Sequence, residues 1–276
     1  MTQEHVFDKY LRSNKLPHMW CPGCGNGIVI NSLIRAIEKT GVDQNKIVVV
    51  AGIGCSSRAN GYLDFCGLHT NHGRAIAYAT GVKMHDPSLK VIVVTGDGDC
   101  TAIGGNHFIH ACRRNIDITT IVFNNDNYGM TGGQYSPTTP TGAKTKTTVY
   151  GNIDDPFDIC KLASAAGASF VARATVFHTP MLTDLIAQGI KHPGFSVIEA
   201  VATCPTLFGR LNKKGDAGAM LQYLQKYSIP QAQASKMSQQ ELKDKLIIGK
   251  FVEKTDREEY SARYQALIKK LAEGVI

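Results

Sequence analysis

The stretch that decides the fold runs from Gly96-Asp97-Gly98-Asp99 to Asn124-Asn125-Asp126-Asn127. Apolar, β-branched runs at 90–95 and 118–123 lead into its two ends, and each predicts a buried strand. Residues 102–114, which lie between the two runs, predict a helix. The result is a β-α-β unit with a carboxylate at the tip of one strand and amides at the tip of the next. In a parallel sheet such neighbouring tips share one edge, where ligands bind.

The side chains at this edge predict a magnesium site. Asp97 and Asn125 follow neighbouring strands, so their oxygens can converge on one hard cation. Phosphate oxygens and water would fill the remaining positions of that cation. Gly-Asp-Gly alone would indicate only a tight turn with an Asp that caps a helix. The asparagine pair at this distance makes the cation site the better interpretation.

These two motifs at this spacing resemble the cofactor-binding motif of thiamine diphosphate enzymes. The resemblance implies that thiamine diphosphate is the cofactor and that Mg²⁺ joins its diphosphate to the protein. It also implies the three magnesium ligands, which would be Asp97, Asn125 and the backbone carbonyl of Asn127.

Composition limits the classes of protein to consider. The chain has 276 residues, of which 43% are hydrophobic and 19% charged, as expected for one large or two small globular domains. The net charge of +7 suits an anionic cofactor or an acidic protein partner, and no basic stripe interleaved with aromatics indicates nucleic acid. No apolar run approaches the ~18 residues of a membrane span. Because residues 2–15 are too polar for a signal peptide, we expect a cytoplasmic protein.

The rest of the chain continues the alternation of strands and helices. Strands are predicted at 47–51, 169–172 and 195–201, and helices at about 28–39, 75–84, 156–166 and 179–191. This alternation predicts an α/β fold with a mostly parallel, doubly wound sheet and helices on both faces. Residues 126–150 are rich in Gly, Thr and Pro and predict a long loop that covers the cofactor. The more polar segment 216–276 predicts a helical extension, which belongs to the same domain or contacts another subunit.

The chain contains eight cysteines, which in a reducing compartment indicate metal or redox chemistry. Cys21 and Cys24 form a Cys-x-x-Cys pair that could be a zinc knuckle, a thioredoxin-like redox pair or two iron–sulfur ligands. The segment before Trp20 does not resemble a strand, which counts against the redox pair. Zinc would normally require a second Cys-x-x-Cys pair nearby.

Two more cysteines stand just beyond buried strands, at the edge of the predicted magnesium site. They are Cys55 and Cys204, and with the Cys-x-x-Cys pair they could supply the four thiolates of a [4Fe–4S] cluster. Cys66 and Cys100 remain alternatives to Cys204. Helix positions favour a packing role for the other two cysteines, Cys112 and Cys160.

Several motifs occur in an order that sharpens the family resemblance. They are Cys-Pro-Gly-Cys-Gly (21–25), Gly-Ile-Gly-Cys-Ser (52–56), His-Gly-Arg-Ala (72–75), Gly-Asp-Gly-Asp (96–99), Tyr-Gly-Met-Thr-Gly-Gly-Gln (128–134) and Cys-Pro-Thr (204–206). Over about residues 18–210 the chain resembles the β subunit of a 2-oxoacid:ferredoxin oxidoreductase. The resemblance implies that the cluster ligands are Cys21, Cys24, Cys55 and Cys204.

The resemblance also implies a reaction, which is oxidative decarboxylation of a 2-oxoacid with coenzyme A. Electrons would pass through the cluster to ferredoxin. Residues 204–212 resemble members that act on 2-oxoglutarate, and pyruvate or branched-chain 2-oxoacids are the alternative substrates. Two other hypotheses are a non-catalytic electron-transfer or scaffold subunit and a zinc-dependent transferase.

Individual site residues follow from the motifs. Arg58 is the candidate for binding a substrate carboxylate, and His72 is a candidate for contact with the cofactor and for catalysis. Glycines that let backbone approach a diphosphate, and neighbours that offer N–H or hydroxyl groups, complete the predicted cofactor site. These residues are Gly54, Cys55, Ser56, Gly73, Gly96, Gly98, Asp99 and Thr131.

The resemblance to thiamine diphosphate enzymes implies that a second domain completes the cofactor site, and we expect another chain to supply it. We expect residues 1–215 to form the diphosphate-binding domain together with the iron–sulfur site. The family resemblance then implies an α subunit that binds the pyrimidine and supplies the activating glutamate. It also allows for γ and δ subunits, and it predicts that the chain alone is inactive.

Overall fold

The fold is built on one central sheet. The computed structural model describes residues 5–274, whose strands form an eight-stranded sheet in the order β2-β1-β3-β4-β6-β5-β8-β7. Strands β1 to β6 are parallel, whereas β8 runs antiparallel to β5. The strands are β1 (Ile47–Ala51), β2 (Cys66–His69), β3 (Lys90–Gly96), β4 (Thr119–Asn124), β5 (Phe170–Thr175), β6 (Ser196–Val201), β7 (Ser228–Pro230) and β8 (Leu246–Glu253).

Helices cover both faces of the sheet. One core packs α2 and α7 on the first face, and the other packs α4, α5 and α6 on the second. The helices are α1 (Val6–Tyr10), α2 (Asn26–Thr40), α3 (Ala59–Tyr62), α4 (Ala75–His85), α5 (Gly105–Arg114), α6 (Ile159–Ala166), α7 (Thr179–Lys191), α8 (Ala217–Tyr227), α9 (Gln231–Ala234) and α10 (Tyr260–Ala272). Among residues 5–274, no helix has the length and apolar character that a bilayer crossing requires.

The two cores explain why the central strands read as unbroken apolar runs. Along β4, Ile121 and Phe123 belong to the core under α2 and α7, whereas Val122 belongs to the core under α4 to α6. Successive side chains of a strand point to opposite faces, so a strand covered on both faces needs apolar residues at every position. The predicted fold class is therefore confirmed.

The helix predicted at 102–114 begins differently in the structure. Asp99–Ile103 forms a π-helical turn, and α5 starts only at Gly105. A Cβ atom on Gly104 would overlap the carbonyl oxygen of Asp99. Glycine therefore lets the chain pass from the wide turn into the regular helix without a clash.

The segment predicted as a helical extension contains strands as well as helices. Its strand β8 pairs with β5 in the main sheet, and β7 pairs with β8 at the sheet's edge. Lysines flank and interrupt the apolar residues of 246–252, so the sequence does not show the unbroken apolar run of a buried strand. The domain boundary at 215 stays a prediction, and residues 1–4 and 275–276 of the predicted units lie outside the described residues.

Candidate cofactor and cluster site

The candidate site lies at the carboxyl edge of the parallel strands. A cavity of about 170 Å³ opens where β1, β3 and β4 end. Segments that follow all three strands line it, as the sequence predicted for neighbouring strand tips. The lining residues include Gly54, Cys55, Ser56, His72, Gly96, Asp97, Gly98, Asp99, Asn125, Asn127, Tyr128 and Thr131.

Asp97 is a buried carboxylate at the floor of this site, with 3% of its surface exposed. Its Oδ2 accepts hydrogen bonds from Ser136 Oγ at 2.5 Å and from Thr138 Oγ1 at 2.7 Å. Burial raises the pKa of Asp97 to about 6, although the two hydroxyls act in the opposite direction. A buried charge is costly unless it is paired, so a cation here would stabilise the ionised carboxylate.

Two asparagines line the same cavity, and one of them has an unpaired side-chain oxygen among the described residues. Asn125 and Asn127 are both buried, and the Nδ2 of Asn127 donates to the carbonyl oxygen of Asn125 at 3.2 Å. The Oδ1 of Asn127 is buried and has no hydrogen-bond partner among residues 5–274. Buried polar atoms are normally paired, and carboxylate with amide oxygens is the donor set that Mg²⁺ prefers. These residues therefore fit a magnesium ion.

A second carboxylate, Asp99, holds the loops of the site together. Its Oδ1 accepts the N–H of Gly73 at 2.6 Å and lies 2.8 Å from Nδ1 of His72. The N–H of Ile53 also donates to Oδ1 at 3.4 Å, and Thr95 Oγ1 donates to Oδ2 at 2.6 Å. The segments that follow β1 and β2 are thus attached to the end of β3. The sequence pointed only to the backbone N–H of Asp99, and that role stays a prediction.

Two glycines shape the cavity wall in different ways. Gly54 has φ +120°, which L side chains rarely adopt, and no described atom lies within 4 Å of the place where its Cβ would stand. An anionic group can therefore approach this backbone closely. A Cβ on Gly98 would instead overlap the ring of Tyr128, whose hydroxyl donates to the Gly98 carbonyl at 3.2 Å.

The remaining predicted site residues fall into two groups. Ser56 is buried, Thr131 donates through its hydroxyl to Gln134 Oε1 at 2.6 Å, and both line the cavity. Arg58 is exposed and lies outside the residues that line the cavity, with its Nε 3.1 Å from Met19 Sδ. The predicted contact of Arg58 with substrate stays a prediction, because in this conformation the side chain lies outside the cavity.

The structure gathers the four predicted cluster cysteines beside the cavity. Burial raises the pKa of Cys24 to about 12, and the nearby Cys204, Cys55 and Cys21 add to that shift. Burial likewise raises the pKa of Cys55 to about 11, with Cys204 and Cys21 again contributing. Gly129 lies between sulfurs, because its Cβ would stand 3.3 Å from Cys55 Sγ and 4.0 Å from Cys204 Sγ.

Specific contacts bring the N-terminal cysteine loop to the sheet edge. Trp20 Nε1 donates to the carbonyl oxygen of Cys55 at 2.6 Å. The N–H of Gly25 donates to the carbonyl oxygen of Thr203 at 3.0 Å, and a Cβ on Gly25 would overlap that backbone. The loop is therefore attached to the segments that carry Cys55 and Cys204.

The other cysteines occupy different places. Cys66 is exposed on β2, and Cys100 is buried in the π-helical turn. Cys204 is thus the better placed partner of the Cys-x-x-Cys pair. Cys112 and Cys160 are buried, as their predicted packing role requires.

Comparison with known proteins decides the family. Residues 52–200 match the thiamine pyrophosphate enzymes through their C-terminal TPP-binding domain. The chain is 50% identical over 267 residues to the 2-oxoglutarate synthase subunit KorB of Methanocaldococcus jannaschii, an alignment that covers 97% of this chain and 98% of that protein. It is 52% identical over 251 residues to the same subunit of Methanothermobacter marburgensis, with 91% and 88% covered. The chain belongs to the KorB family.

A solved structure extends the likeness of this KorB-family chain to three dimensions. It is similar, with a TM-score of 0.81 and 30% identity, to a 2-oxoglutarate:ferredoxin oxidoreductase from Magnetococcus marinus solved with 2-oxoglutarate, coenzyme A and succinyl-CoA bound. The match covers 99% of this chain and 92% of that one. The family and fold predicted from the sequence are both confirmed.

Sequence patterns do not reveal the two residues that hold Asp97, a predicted magnesium ligand, in place. Ser136 and Thr138, which bind Asp97, lie in the loop that was predicted only as a cover. The run Ser136-Pro137-Thr138-Thr139 offers hydroxyls close together, but their partner depends on how the loop folds back. The spacing of residues along the sequence does not show that this loop folds back to Asp97.

Replacing Asp99 with alanine should destabilise the protein. Asp99→Ala leaves the N–H of Gly73 and the hydroxyl of Thr95 without their buried acceptor, so we expect the free energy of unfolding to fall by at least about 2 kcal/mol. Denaturant unfolding followed by circular dichroism measures this change. Asp184→Ala is the control, because its carboxylate lies in an exposed ion pair with Lys39. Equal stability of the two variants would contradict the role given to Asp99.

Proposed function

We propose that this chain is the β subunit of a 2-oxoglutarate:ferredoxin oxidoreductase. The reaction is the coenzyme A-dependent oxidative decarboxylation of 2-oxoglutarate to succinyl-CoA and CO₂, with two electrons passed through a [4Fe–4S] cluster to ferredoxin. The observation that carries the proposal is the meeting of the Asp97–Asn127 oxygen donors and four cysteines at one sheet edge, in a chain of the KorB family.

The cofactor half of the proposal assigns roles to the cavity residues. Asp97, Asn125 and the carbonyl of Asn127 would hold Mg²⁺, and the backbone around Gly54 and Gly98 would face the diphosphate. Thiamine diphosphate, when bound, supplies a nucleophilic carbon and an electron sink for decarboxylation.

His72 is the candidate for contact with the cofactor and for catalysis. Its ring lines the cavity, and its Nδ1 lies 2.8 Å from Oδ1 of Asp99 without the alignment of a hydrogen bond. Arg58 is our candidate for a carboxylate of the 2-oxoacid, which requires its exposed side chain to leave Met19.

The four cysteines would bind the cluster as thiolates. Burial raises the pKa values of Cys24 and Cys55, so these two are neutral thiols without the cluster. On cluster binding, iron would replace the thiol protons of its cysteine ligands. A cluster between Cys204 and Cys55 would adjoin the cavity, because Cys55 also lines it. Single electrons would then pass from the cofactor to the cluster over a short distance, without a conformational change of the protein. Ferredoxin would accept these electrons, and free cysteines suit the reducing cytoplasm.

Partner subunits complete the proposed enzyme. The α subunit would bind the pyrimidine and supply the activating glutamate, and γ and δ subunits are consistent with the family. The loop that follows the cavity exposes large apolar side chains, among which Tyr150 is 99% and Ile153 is 92% exposed. The buried Asn152 fixes this loop through a hydrogen bond to the Thr139 carbonyl at 2.8 Å. Ordered apolar surface of this kind suits contact with another subunit, and we expect the α subunit there.

Replacing Asp97 should separate the cofactor site from the cluster. In the complete complex, Asp97→Ala should abolish Mg²⁺-dependent binding of thiamine diphosphate and activity, because the charged ligand is lost. The visible absorption of the cluster should persist. The matched control Asp184→Ala, at an exposed position of α7, should keep both properties. Full activity of Asp97→Ala would favour the non-catalytic scaffold hypothesis instead.

Replacing Cys204 should remove the cluster. We expect the purified wild-type chain to be brown, and Cys204→Ser to lose iron and visible absorption because one thiolate ligand is missing. Cys66→Ser, at an exposed position of β2, should keep its colour. A colourless wild type that contains zinc would support the zinc-dependent transferase. Loss of iron from Cys66→Ser alone would move the fourth ligand to that residue.

Substrate preference tests the choice of 2-oxoacid. We expect the complete complex to show a higher kcat/KM for 2-oxoglutarate than for pyruvate or 2-oxoisovalerate. Initial rates of ferredoxin reduction with coenzyme A present measure the three values. Equal values for pyruvate would contradict 2-oxoglutarate as the substrate and leave the reaction class intact.

A further inference from the structure

A buried glutamate touches the turn that carries the proposed magnesium ligands. Glu199 lies on β6 and is 2% exposed, and its Oε1 accepts a hydrogen bond from Nδ2 of Asn124 at 2.8 Å. Asn124 is the last residue of β4, and its Oδ1 accepts the N–H of Asp126 at 3.1 Å. Asp126 has a left-handed φ of 61°. The Asn124 amide therefore joins Glu199 to a tight turn that includes Asn125.

The other oxygen of Glu199 is fixed as well. Its Oε2 accepts from Arg173 Nε at 2.7 Å and from the Cys160 thiol at 3.3 Å. The Arg173 guanidinium also binds Asp158 at 2.6 Å and donates to the Ile247 carbonyl of β8 at 3.3 Å. The carboxylate of Glu199 is thus held by buried groups from β5 and α6 and cannot turn freely.

This group of side chains is not itself a candidate metal site. Ligand atoms of Asp158, Cys160 and Glu199 lie within 4.8 Å of one another. The guanidinium of Arg173 already contacts both carboxylates and supplies the positive charge that an ion would bring. The functional contact of Glu199 is made by its other oxygen, Oε1, which binds Asn124.

The chemistry of an amide makes this contact directional. A carboxylate only accepts hydrogen bonds, so it requires the NH₂ group of Asn124 and turns the amide oxygen towards the N–H of Asp126. A bond from an amide to a buried charge is also stronger than one between neutral groups. We infer that Glu199 is a positioning residue for the magnesium site, because it orients Asn124 and thereby the turn that carries Asn125 and Asn127. The inference rests on the proposed function.

The test is the Mg²⁺ affinity of the Glu199→Gln variant in the complete complex. Glutamine keeps the shape but can turn its own NH₂ towards Asn124, which removes the directional bond. We expect the dissociation constant for Mg²⁺, measured through Mg²⁺-dependent binding of thiamine diphosphate after chelator treatment, to rise by roughly tenfold or more. Saturating Mg²⁺ should restore most of kcat, and cluster absorption should be unchanged.

Two further variants make the test specific. Cys160→Ala removes another partner of the same carboxylate, and it should leave Mg²⁺ affinity unchanged because it does not touch Asn124. Asn124→Ala should weaken Mg²⁺ binding as Glu199→Gln does, and the double variant should be no weaker than either single one. The Asn124 variant keeps the inference falsifiable where Glu199→Gln fails to fold.

The outcomes separate this inference from the function on which it rests. Wild-type Mg²⁺ affinity in Glu199→Gln or Asn124→Ala, or additive effects in the double variant, would overturn the inference and leave the proposed function standing. An equal loss in Cys160→Ala would also overturn it, since general loosening would explain the result. A wild-type complex that binds thiamine diphosphate without any divalent cation would overturn both.

Discussion

The carboxylate of Asp99 is the interaction on which the arrangement of the site depends. The segments after β1 and β2 both approach the end of β3 closely. Backbone N–H groups of Ile53 and Gly73 meet there at one buried anion, with Thr95 completing its hydrogen bonds. A buried charge is tolerated because donors surround it, and those donors are thereby fixed in space.

Two carboxylates only two positions apart have opposite needs. Asp99 is surrounded by donors from the protein, and its demand for partners is met. Asp97 receives two hydroxyls on one oxygen, and burial still raises its pKa to about 6. The protein thus supplies hydrogen-bond donors around Asp99, whereas a positive charge would further stabilise the ionised form of Asp97. This division separates the residue that builds the site from the residue that we propose binds the metal.

Sequence reasoning succeeded where the physical cause is local. Runs such as 118–123 predicted strands because a parallel sheet buries both faces, and strand tips predicted that Asp97 and Asn125 meet. The sequence pattern gives no prediction where a loop folds back and brings distant residues together. Thr138 reaches Asp97 only after a loop, and Glu199 appears in the sequence as one charge inside an apolar strand. The roles of Thr138 and Glu199 depend on contacts with residues distant in sequence, which a local sequence pattern does not show.

The attachment of the N-terminal cysteine loop has a consequence for the order of the chain. Trp20 holds that loop against the segment that contains Cys55, and Gly25 holds it against the segment that contains Cys204. With the proposed cluster bound, iron would cross-link the first part of the chain to its last parallel strand, as a disulfide closes a long covalent loop. Such a cross-link reduces the entropy of the unfolded chain. Oxidative loss of iron would remove this cross-link and leave the hydrogen bonds of Trp20 and Gly25 to hold the loop. The N-terminal segment would then open more often and become more sensitive to proteases.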